Sequence, residues 1–377
     1  MFAFFKKYST SVDWTLLGLA LFISISSLVT LYTFGESALF FNKQLIFLIV
    51  ALVCFFAVHH IDFQLLKSTQ AVSYLYACCV LILSVLFILG HTVKGAQSWF
   101  SFGAFSFQPT DLMKLAVILM CAKYFSRRHI EIKRFKHILI SLVYMIIPFV
   151  LIFLQPDFGS AIILFMIWFG MVLVSGLSKK HLFVFFIIGI SLFVVLWSFV
   201  FKEYQKKRIQ NFINPTLDVK GTGYNAKQSL IAVGSGQFLG KGIGHGTQSR
   251  LHFLPEYQTD FIFAAYAEEW GFVGACLVLV LYALLIIRIL TTALHGAGNF
   301  EILTAVGIAI FFLSHMLINI GMNIGIMPIT GITLPFMSYG GSHLVTEFIA
   351  LGLVSSIYRT RRATHRDNLH YEFLGVE

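Results

Sequence analysis

A glycine-rich stretch in the second half of the chain has the composition of an anion-binding loop. Residues 234–246 read Gly-Ser-Gly-Gln-Phe-Leu-Gly-Lys-Gly-Ile-Gly-His-Gly, with Lys241 near the centre. Glycine permits positive φ angles and close backbone approach, so successive N–H groups can surround a phosphate. The stretch is not a nucleotide-binding P-loop, which would need glycine at Ser235 and serine or threonine at Gly242. A tight re-entrant turn without a ligand is the alternative.

A carboxylate that could act as a general base follows this loop. Counting back about twenty residues from Arg288 places the outer edge of the hydrocarbon near Glu268. Asp260 lies about eight residues further out, ~12 Å along a helix, at the depth of lipid headgroups. A carboxylate at that depth could take a proton from a substrate hydroxyl. Thr259 or Asp260 could instead cap the helix that begins there.

Two other loops bring polar groups to the same side of the chain. Lys114 is a cation one turn inside an apolar segment, and it could pair with Asp111 or with an anionic headgroup. Asp157 adds a carboxylate in the sequence Gln-Pro-Asp, where it could equally serve a turn. Trp99 fits the aromatic belt of a membrane interface.

The elements that must position these side chains are membrane helices. Hydrophobic residues make up 58% of the 377 residues and charged residues only 12%, whereas a soluble domain carries roughly a quarter charged residues. The mean hydropathy is +0.84, so the bilayer must be the solvent for much of this surface. The five cysteines fall in apolar runs, which predicts free thiols and neither a disulfide framework nor a metal site.

The apolar runs predict an all-α, polytopic integral membrane protein. About ten runs are long enough to cross a bilayer, and they lie near 13–34, 44–60, 71–90, 110–126, 137–154, 157–177, 181–201, 264–290, 301–326 and 342–358. We treat 1–377 as a single membrane domain, with a long outer loop at 202–259 between spans 7 and 8 and a cytoplasmic tail at 359–377. The first ten residues lack the pattern of a cleavable signal.

The placement of basic residues sets the predicted orientation. With the N-terminus in the cytoplasm, most lysines and arginines outside the spans fall on the inner side, as the positive-inside rule requires. Both termini are then cytoplasmic and the face that carries Asp260 is extracytoplasmic. The exception is the basic loop 202–259, which suits an anionic partner near the membrane surface. A solvated loop without a partner is the alternative. The net charge of +10 is therefore explained by membrane topology, which places basic residues on the cytoplasmic side, and we expect no nucleic-acid partner.

The chain resembles a known family, the SEDS proteins. The resemblance rests on motifs that occur in the family's order: Lys94-Gly-Ala-Gln with Trp99, Phe107-Gln-Pro with Lys114, Gln155-Pro-Asp-Phe-Gly, Gly240-Lys-Gly, Phe253-Leu-Pro-Glu with Thr259-Asp-Phe-Ile-Phe, Ala267-Glu-Glu, Asn319-Ile-Gly-Met and Ser338-Tyr-Gly-Gly-Ser. They run from about residue 90 to 342, and the layout of ten spans covers nearly the whole chain.

The resemblance implies a peptidoglycan glycosyltransferase in the bacterial inner membrane. SEDS proteins polymerise lipid II, working with a class B penicillin-binding protein that cross-links the peptides; membrane proteins of the elongation complex and membrane lipids are the other expected partners. Asp260 matches the family's essential acidic residue, which makes it the expected general base. The residues expected to bind lipid II and its pyrophosphate are Lys114, Lys241, Trp99, Gln108, Asp157, Glu256, Thr259, Gln248 and Ser338. No cofactor is certain, although a divalent cation, Mg²⁺ or Mn²⁺, could contribute.

Within the family, the chain is most like the elongation branch. Three features favour that branch over the division branch: the motif Gly246-Thr-Gln, a Pro328-Ile-Thr-Gly segment without lysine, and short tails. Thr333 departs from the elongation pattern. Other departures are Ser98, where arginine is usual, His315, where glutamine is common, and the polar pair His343 and Glu347. A lipid II flippase is the main alternative, because ten spans with intramembrane charges suit transport equally well; a non-catalytic scaffold is the third.

Overall fold

In the computed structural model, the described residues are 12–33, 38–61, 63–89, 91–93, 96–102, 105–127, 135–201, 203–214, 218, 221–296 and 298–374. The helices in these ranges are α1 Trp14–Thr33, α2 Ala38–His60, α3 Phe63–Leu66, α4 Thr69–Leu89, α5 Pro109–Ser126, α6 Phe135–Leu154, α7 Phe158–Val174, α8 Lys179–Val195, α9 Glu203–Ile213, α10 Thr222–Ser235, α11 Thr247–Arg250, α12 Ile262–Leu294, α13 Asn299–Asn323 and α14 Gly341–Leu374. A π-helical turn, Leu196–Val200, continues α8, and three short strands are β1 His91–Val93, β2 Ala96–Phe102 and β3 Phe105–Phe107.

The polytopic membrane architecture is confirmed, with a helix at each of the ten predicted positions. Among the described residues, six helices are long and apolar enough to cross a bilayer: α1, α2, α4, α6, α12 and α13. The apolar helix α7 is shorter. A helix satisfies its backbone hydrogen bonds internally, which is the condition for spanning hydrocarbon. Large apolar side chains on α8, such as Phe183 and Phe186, are more than half exposed, as lipid-facing residues are.

Three features add to the predicted layout. The segment after α4 forms an antiparallel sheet in the order β1-β2-β3, so the all-α class has a small exception. The predicted outer loop 202–259 is partly helical, because α9, α10 and α11 lie within it. The last helix extends to Leu374, well into the predicted tail. These elements are short, amphipathic or polar, so hydropathy alone does not reveal them.

The best-buried long helix, α13, forms the centre of the bundle and packs against α12, α5 and α7. Its Phe311 and Phe312 are fully buried, and so are Trp168 on α7 and Tyr282 on α12. Helix α14 packs along α2. Buried aromatic side chains of this size fix the relative positions of the helices whose ends carry the polar residues.

Helix α12 is broken at Gly271, which has φ 68° and ψ −167°. The glycine-rich segment runs beside the break, where the amides of Phe272 and Val273 donate to the carbonyls of Gln237 and Phe238 at 2.9 and 3.2 Å. A Cβ atom on Gly271 would lie 2.2 Å from the Gly240 nitrogen, so only glycine fits. Backbone groups released by the break are thus satisfied by protein, as they must be near hydrocarbon.

Candidate active site

A cavity of about 740 Å³ opens where the N-terminal ends of α5, α7, α12 and α14 meet the C-terminal part of α13. It is large enough for a sugar-sized ligand. Seven of the predicted site residues line it: Trp99, Gln108, Lys114, Asp157, Glu256, Thr259 and Asp260. The structure therefore brings together side chains that lie up to 161 positions apart in the sequence, counting from Trp99 to Asp260.

Hydrogen bonds to its backbone carbonyl fix the position of Asp260. Its carbonyl accepts hydrogen bonds from the side-chain amides of Asn319 and Asn323 at 2.9 and 3.1 Å. Helix α12 begins at Ile262 with Phe261 in the cap position, and the Asn323 Oδ1 accepts from the Ala264 amide at 3.1 Å. The capping interpretation of Thr259 and Asp260 is therefore wrong. Their sequence pattern suggested a cap, but a neighbouring helix supplies it.

The wall opposite Asp260 contains a glycine where the carboxylate comes close. Gly331 has φ +76°, and a Cβ atom there would lie 3.4 Å from the Asp260 Oδ2. The positive φ favours glycine, and the missing side chain leaves room beside the carboxylate. Asp260 can therefore face a ligand that enters from the cavity.

The turn before Asp260 is built from Glu256, Thr259 and Ser338. The Thr259 hydroxyl donates to the Glu256 Oε2 at 3.0 Å. The Ser338 hydroxyl donates to the Thr259 carbonyl at 2.6 Å and accepts from the Leu334 amide at 2.8 Å. Ser338 is buried and is not among the residues that line the cavity. Its contacts support the turn.

Asp157 serves the fold and the cavity together. Its Oδ1 caps α7 by accepting from the Ser160 amide at 3.0 Å, so its structural role is that of a helix cap and not of a turn residue. Its Oδ2 accepts from the Gln108 side-chain amide at 3.2 Å. Gln108 precedes α5, so this hydrogen bond joins the ends of two helices at the cavity wall.

Lys114 pairs with Asp111, as one of its two interpretations predicted. The Lys114 Nζ lies 3.0 Å from the Asp111 Oδ1, and both side chains are almost fully buried. The same Nζ lies 3.4 Å from the Nε2 of His315. Both members of the pair also line the cavity, so the pairing does not exclude a contact between Lys114 and a ligand.

Lys241 and Gln248 lie elsewhere, beside α12. The Lys241 Nζ is 2.7 Å from the Glu268 Oε1, and the Glu268 carboxylate also accepts from the amides of Thr247 and Gln248 at 2.8 and 3.1 Å. The neighbouring Glu269 accepts from the Gly244 amide at 3.0 Å. Within the stretch predicted to surround a phosphate, the amides of Lys241 and Gly242 donate to the backbone carbonyls of Glu268 and Glu269, and the Gly244 amide to the Glu269 carboxylate.

Sequence reasoning missed other residues that line the cavity. Arg208 on α9 lines it and donates to the Thr330 carbonyl at 3.2 Å. The only sequence signal for Arg208 was the excess of basic residues in the loop 202–259. Tyr339 also lines the cavity, and burial raises the pKa of its phenol, which stays a neutral hydrogen-bond donor at neutral pH. His315 and His343 were noted only as departures from a family pattern.

The cavity combines carboxylates that can act as bases with cations that can hold an anion. Asp260, Asp157 and Glu256 supply the former, and Lys114 and Arg208 the latter. In the part of the chain that the structure describes, no group of three or more His, Cys, Asp and Glu side chains is arranged as a metal site. We therefore derive no step through a metal, and a divalent cation stays a prediction.

Comparison with known proteins shows where this architecture occurs. The cell cycle protein family FtsW/RodA/SpoVE matches residues 7–363. The peptidoglycan glycosyltransferase MrdB of Escherichia coli is 39% identical over 77% of this chain and 78% of its own length. The stage V sporulation protein E of Bacillus subtilis is 35% identical over 92% of this chain and 94% of its own.

Two solved structures have the same fold. A chain of a peptidoglycan synthase complex, studied for its coordination of polymerization and crosslinking, is similar with a TM-score of 0.80 and 29% identity, covering 93% of this chain and 98% of that chain. The rod shape determining protein RodA of Thermus thermophilus is similar with a TM-score of 0.71 and 28% identity, covering 93% of this chain and 97% of that chain.

Proposed function

The chain belongs to the FtsW/RodA/SpoVE family, the SEDS proteins, and from this membership we propose that it is a peptidoglycan glycosyltransferase that polymerises lipid II. The relatives MrdB and FtsW carry that activity in their names. The observation that carries the proposal is the position of Asp260, whose carboxylate lines the same cavity as two cations, Lys114 and Arg208. A base and an anion-holding group on one cavity are what this glycosyl transfer requires.

In the proposed reaction, Asp260 accepts the proton of the GlcNAc 4-hydroxyl of the acceptor lipid II. That oxygen forms a bond to the anomeric carbon of the lipid-linked MurNAc, and the bond from this carbon to the pyrophosphate oxygen breaks with inversion. Undecaprenyl pyrophosphate leaves with the bonding electron pair. Lys114 offsets the charge that develops on the pyrophosphate, and Arg208 is a second cation within the cavity.

The test is polymerisation of purified lipid II by the purified chain, with and without a class B penicillin-binding protein. We expect glycan strands that a muramidase digests. Movement of lipid II across vesicles without any polymer would support the flippase alternative and contradict the proposal. Products that form at the same rate from protein denatured before the assay would also contradict it.

We further propose a transpeptidase partner and a role in cell-wall elongation. The similar structure of a complex that polymerises and crosslinks supports a partner of the penicillin-binding class. The elongation role is supported by the 39% identity to MrdB, against 34% to an FtsW of Aliivibrio salmonicida. Co-purification with the transpeptidase of the elongation complex, and not with that of the division complex, is the expected result.

The mechanism requires Asp260 to face outwards, with both termini in the cytoplasm of the inner membrane. Cysteine labelling in a cysteine-free background tests this topology. Arg250 on α11 and Lys180 on α8 are both exposed and lie on opposite predicted sides. Arg250→Cys should react with an impermeant maleimide in intact spheroplasts and Lys180→Cys only after lysis; the reverse pattern would contradict the outward-facing site.

A further inference from the structure

A buried cluster of five polar residues lies against the inner wall of the cavity. Three helices supply it: Asp111 and Lys114 come from α5, His315 from α13, and His343 and Glu347 from α14. Each of these side chains is at most 5% exposed. Buried charges are costly unless they are paired, so the pairing within the cluster decides which protonation states it can hold.

His343 lies between two carboxylates. Its Nδ1 is 3.3 Å from the Asp111 Oδ1, and its Nε2 is 2.7 Å from the Glu347 Oε1. Both ring nitrogens therefore lie close to carboxylate oxygens, although the Nε2–Glu347 contact is an ion pair without hydrogen-bond geometry. Two adjacent anions favour the imidazolium form. The other Glu347 oxygen accepts from the Phe336 amide at 2.8 Å, which fixes its carboxylate.

The contacts of His315 favour the neutral imidazole, in contrast to the imidazolium of His343. Its Nδ1 lies 3.2 Å from the Thr333 carbonyl, which can only accept a proton. Its Nε2 lies 3.4 Å from the Lys114 ammonium, which can only donate. The ring is therefore neutral, protonated on Nδ1, and it accepts from Lys114.

The charges of the cluster then balance, with Lys114 and His343 positive and Asp111 and Glu347 negative. Both cations share one oxygen, the Asp111 Oδ1. The ammonium of Lys114 thus directs one N–H to Asp111 and one to His315. A third N–H remains for a group in the cavity, which Lys114 lines.

We propose that His343 is a positioning residue, which holds the Asp111 carboxylate so that the Lys114 ammonium stays directed at a phosphate oxygen of the lipid-linked substrate; this rests on the proposed function. Without the imidazolium, Asp111 and Glu347 would leave the cluster with an excess negative charge. Lys114 would be drawn to them, and an anionic ligand would be repelled. His343 acts through Lys114 and need not contact the substrate.

The test compares KM and kcat for lipid II between the wild-type chain and His343→Gln. We expect KM to rise about tenfold, the typical value of a charge-assisted hydrogen bond, with kcat changed less than about threefold. In a Lys114→Met background, His343→Gln should have no further effect on KM. An unchanged KM, or an equal rise in KM in both backgrounds, would overturn the proposal.

His59→Gln is the matched control. His59 is also a fully buried histidine packed against α14, where its Nδ1 lies 3.0 Å from the Ser355 hydroxyl, but it is not among the residues that line the cavity. It should lower stability without changing KM. If His343→Gln does not fold, Glu347→Gln removes one negative charge from the cluster with little change of shape and should lower KM about threefold, because the cluster then repels an anionic ligand less. An unchanged KM in folded Glu347→Gln then contradicts the proposal.

The wild-type chain separates this inference from the proposed function. If it makes no polymer from lipid II in the presence of its transpeptidase, the proposed function fails. If it polymerises lipid II and the variants keep the wild-type KM, only the role of His343 fails.

Discussion

The cavity around Asp260 and the glycine-rich loop beside α12 contain similar groups, but the carboxylates of the two regions have different hydrogen-bond partners. Both combine carboxylates, lysine and glycine near the ends of helices. In the loop, the carboxylate of Glu268 is saturated by Lys241 and two backbone amides. In the cavity wall, the Asp111 Oδ2 is buried and makes no hydrogen bond to any residue that the structure describes.

The difference shows how a binding site can be told from a structural contact of the same composition. In the loop, the N–H groups of Lys241, Gly242 and Gly244 donate to Glu268 or Glu269, so an anion held by these donors would have to break those bonds. A buried carboxylate oxygen without a donor occurs in both regions, at the Asp111 Oδ2 and at the Glu269 Oε2 beside the loop, so it does not by itself mark a ligand site. Access to the cavity does separate them, because Asp111 and Lys114 line it together with Asp260, whereas Lys241 and Glu268 do not. We therefore place the ligand site in the cavity and interpret the glycine-rich loop as a support for the broken helix α12. Four substitutions sharpen or break this distinction.

The largest effect is expected at Asp260 in the cavity. Asp260→Asn should lower polymerisation at least 100-fold, the lower end of general-base contributions, because the amide cannot accept the proton. Its melting temperature in detergent should stay near the wild-type value, since the contacts to Asn319 and Asn323 use the backbone carbonyl.

Asp218→Asn is the control for this substitution. Asp218 is also a carboxylate of the segment 202–259, but it contacts Asn211 and the Gly221 amide away from the cavity. The Asp218→Asn variant should polymerise lipid II at the wild-type rate. Near-normal rates from Asp260→Asn would remove the general-base assignment and, with it, the chemical distinction between the two regions.

The second effect belongs to the loop and concerns folding. Gly240 has φ +83°, and a Cβ atom there would lie 2.1 Å from the Glu269 carbonyl oxygen. Gly240→Ala should destabilise the chain by about 3 kcal/mol or more, since both the strained φ and the overlap must be relieved. Gly234→Ala is the control, because its Cβ would meet no atom within 4 Å. Equal melting temperatures for the two variants would show that the loop is not rigidly seated on α12.

How far the sequence predicts these regions depends on the range of the interactions. The ten helices follow from hydropathy, which is a property of each segment alone. The three strands after α4 and the helices α9 to α11 are short, and their formation depends on packing against the bundle. The same limit applied to Thr259 and Asp260, whose capping pattern is local, whereas the actual cap, Asn323, comes from another helix.

The site could be predicted in part for the same reason. Motif order placed seven residues in the cavity. Composition could not show that the anions contacting the glycine-rich loop are the chain's own carboxylates, Glu268 and Glu269. The sequence indicates the two pairs of the buried cluster but not their contact with each other. Asp111 and Lys114 are three residues apart, and His343 and Glu347 are four apart, so each pair lies on one face of its helix. Only the packing of α5 against α14 shows that these faces meet.

The third effect is a loss of stability at Glu268. Its carboxylate is fully buried and accepts from the amides of Thr247 and Gln248 besides pairing with Lys241. Glu268→Gln removes the charge that strengthens these bonds and should destabilise the chain by about 2 kcal/mol. The KM for lipid II of the folded fraction should not change. A large rise in KM without loss of stability would place Glu268 in the ligand site and remove the distinction between the regions.

The smallest effect is expected at Lys241, where the two interpretations differ most. If the lysine contacts the pyrophosphate, as its glycine-rich surroundings first suggested, Lys241→Met should raise KM about tenfold. The structure instead pairs its Nζ with Glu268 at 2.7 Å and the Thr247 hydroxyl at 2.8 Å, and its side chain is 28% exposed. Partly exposed pairs contribute about 1 kcal/mol or less, and Glu268 keeps its two backbone donors in the variant. We therefore expect a melting temperature only slightly below wild type and a KM within about twofold. Measuring both in the same preparation decides the matter, because a tenfold rise in KM at unchanged stability would return Lys241 to the substrate site.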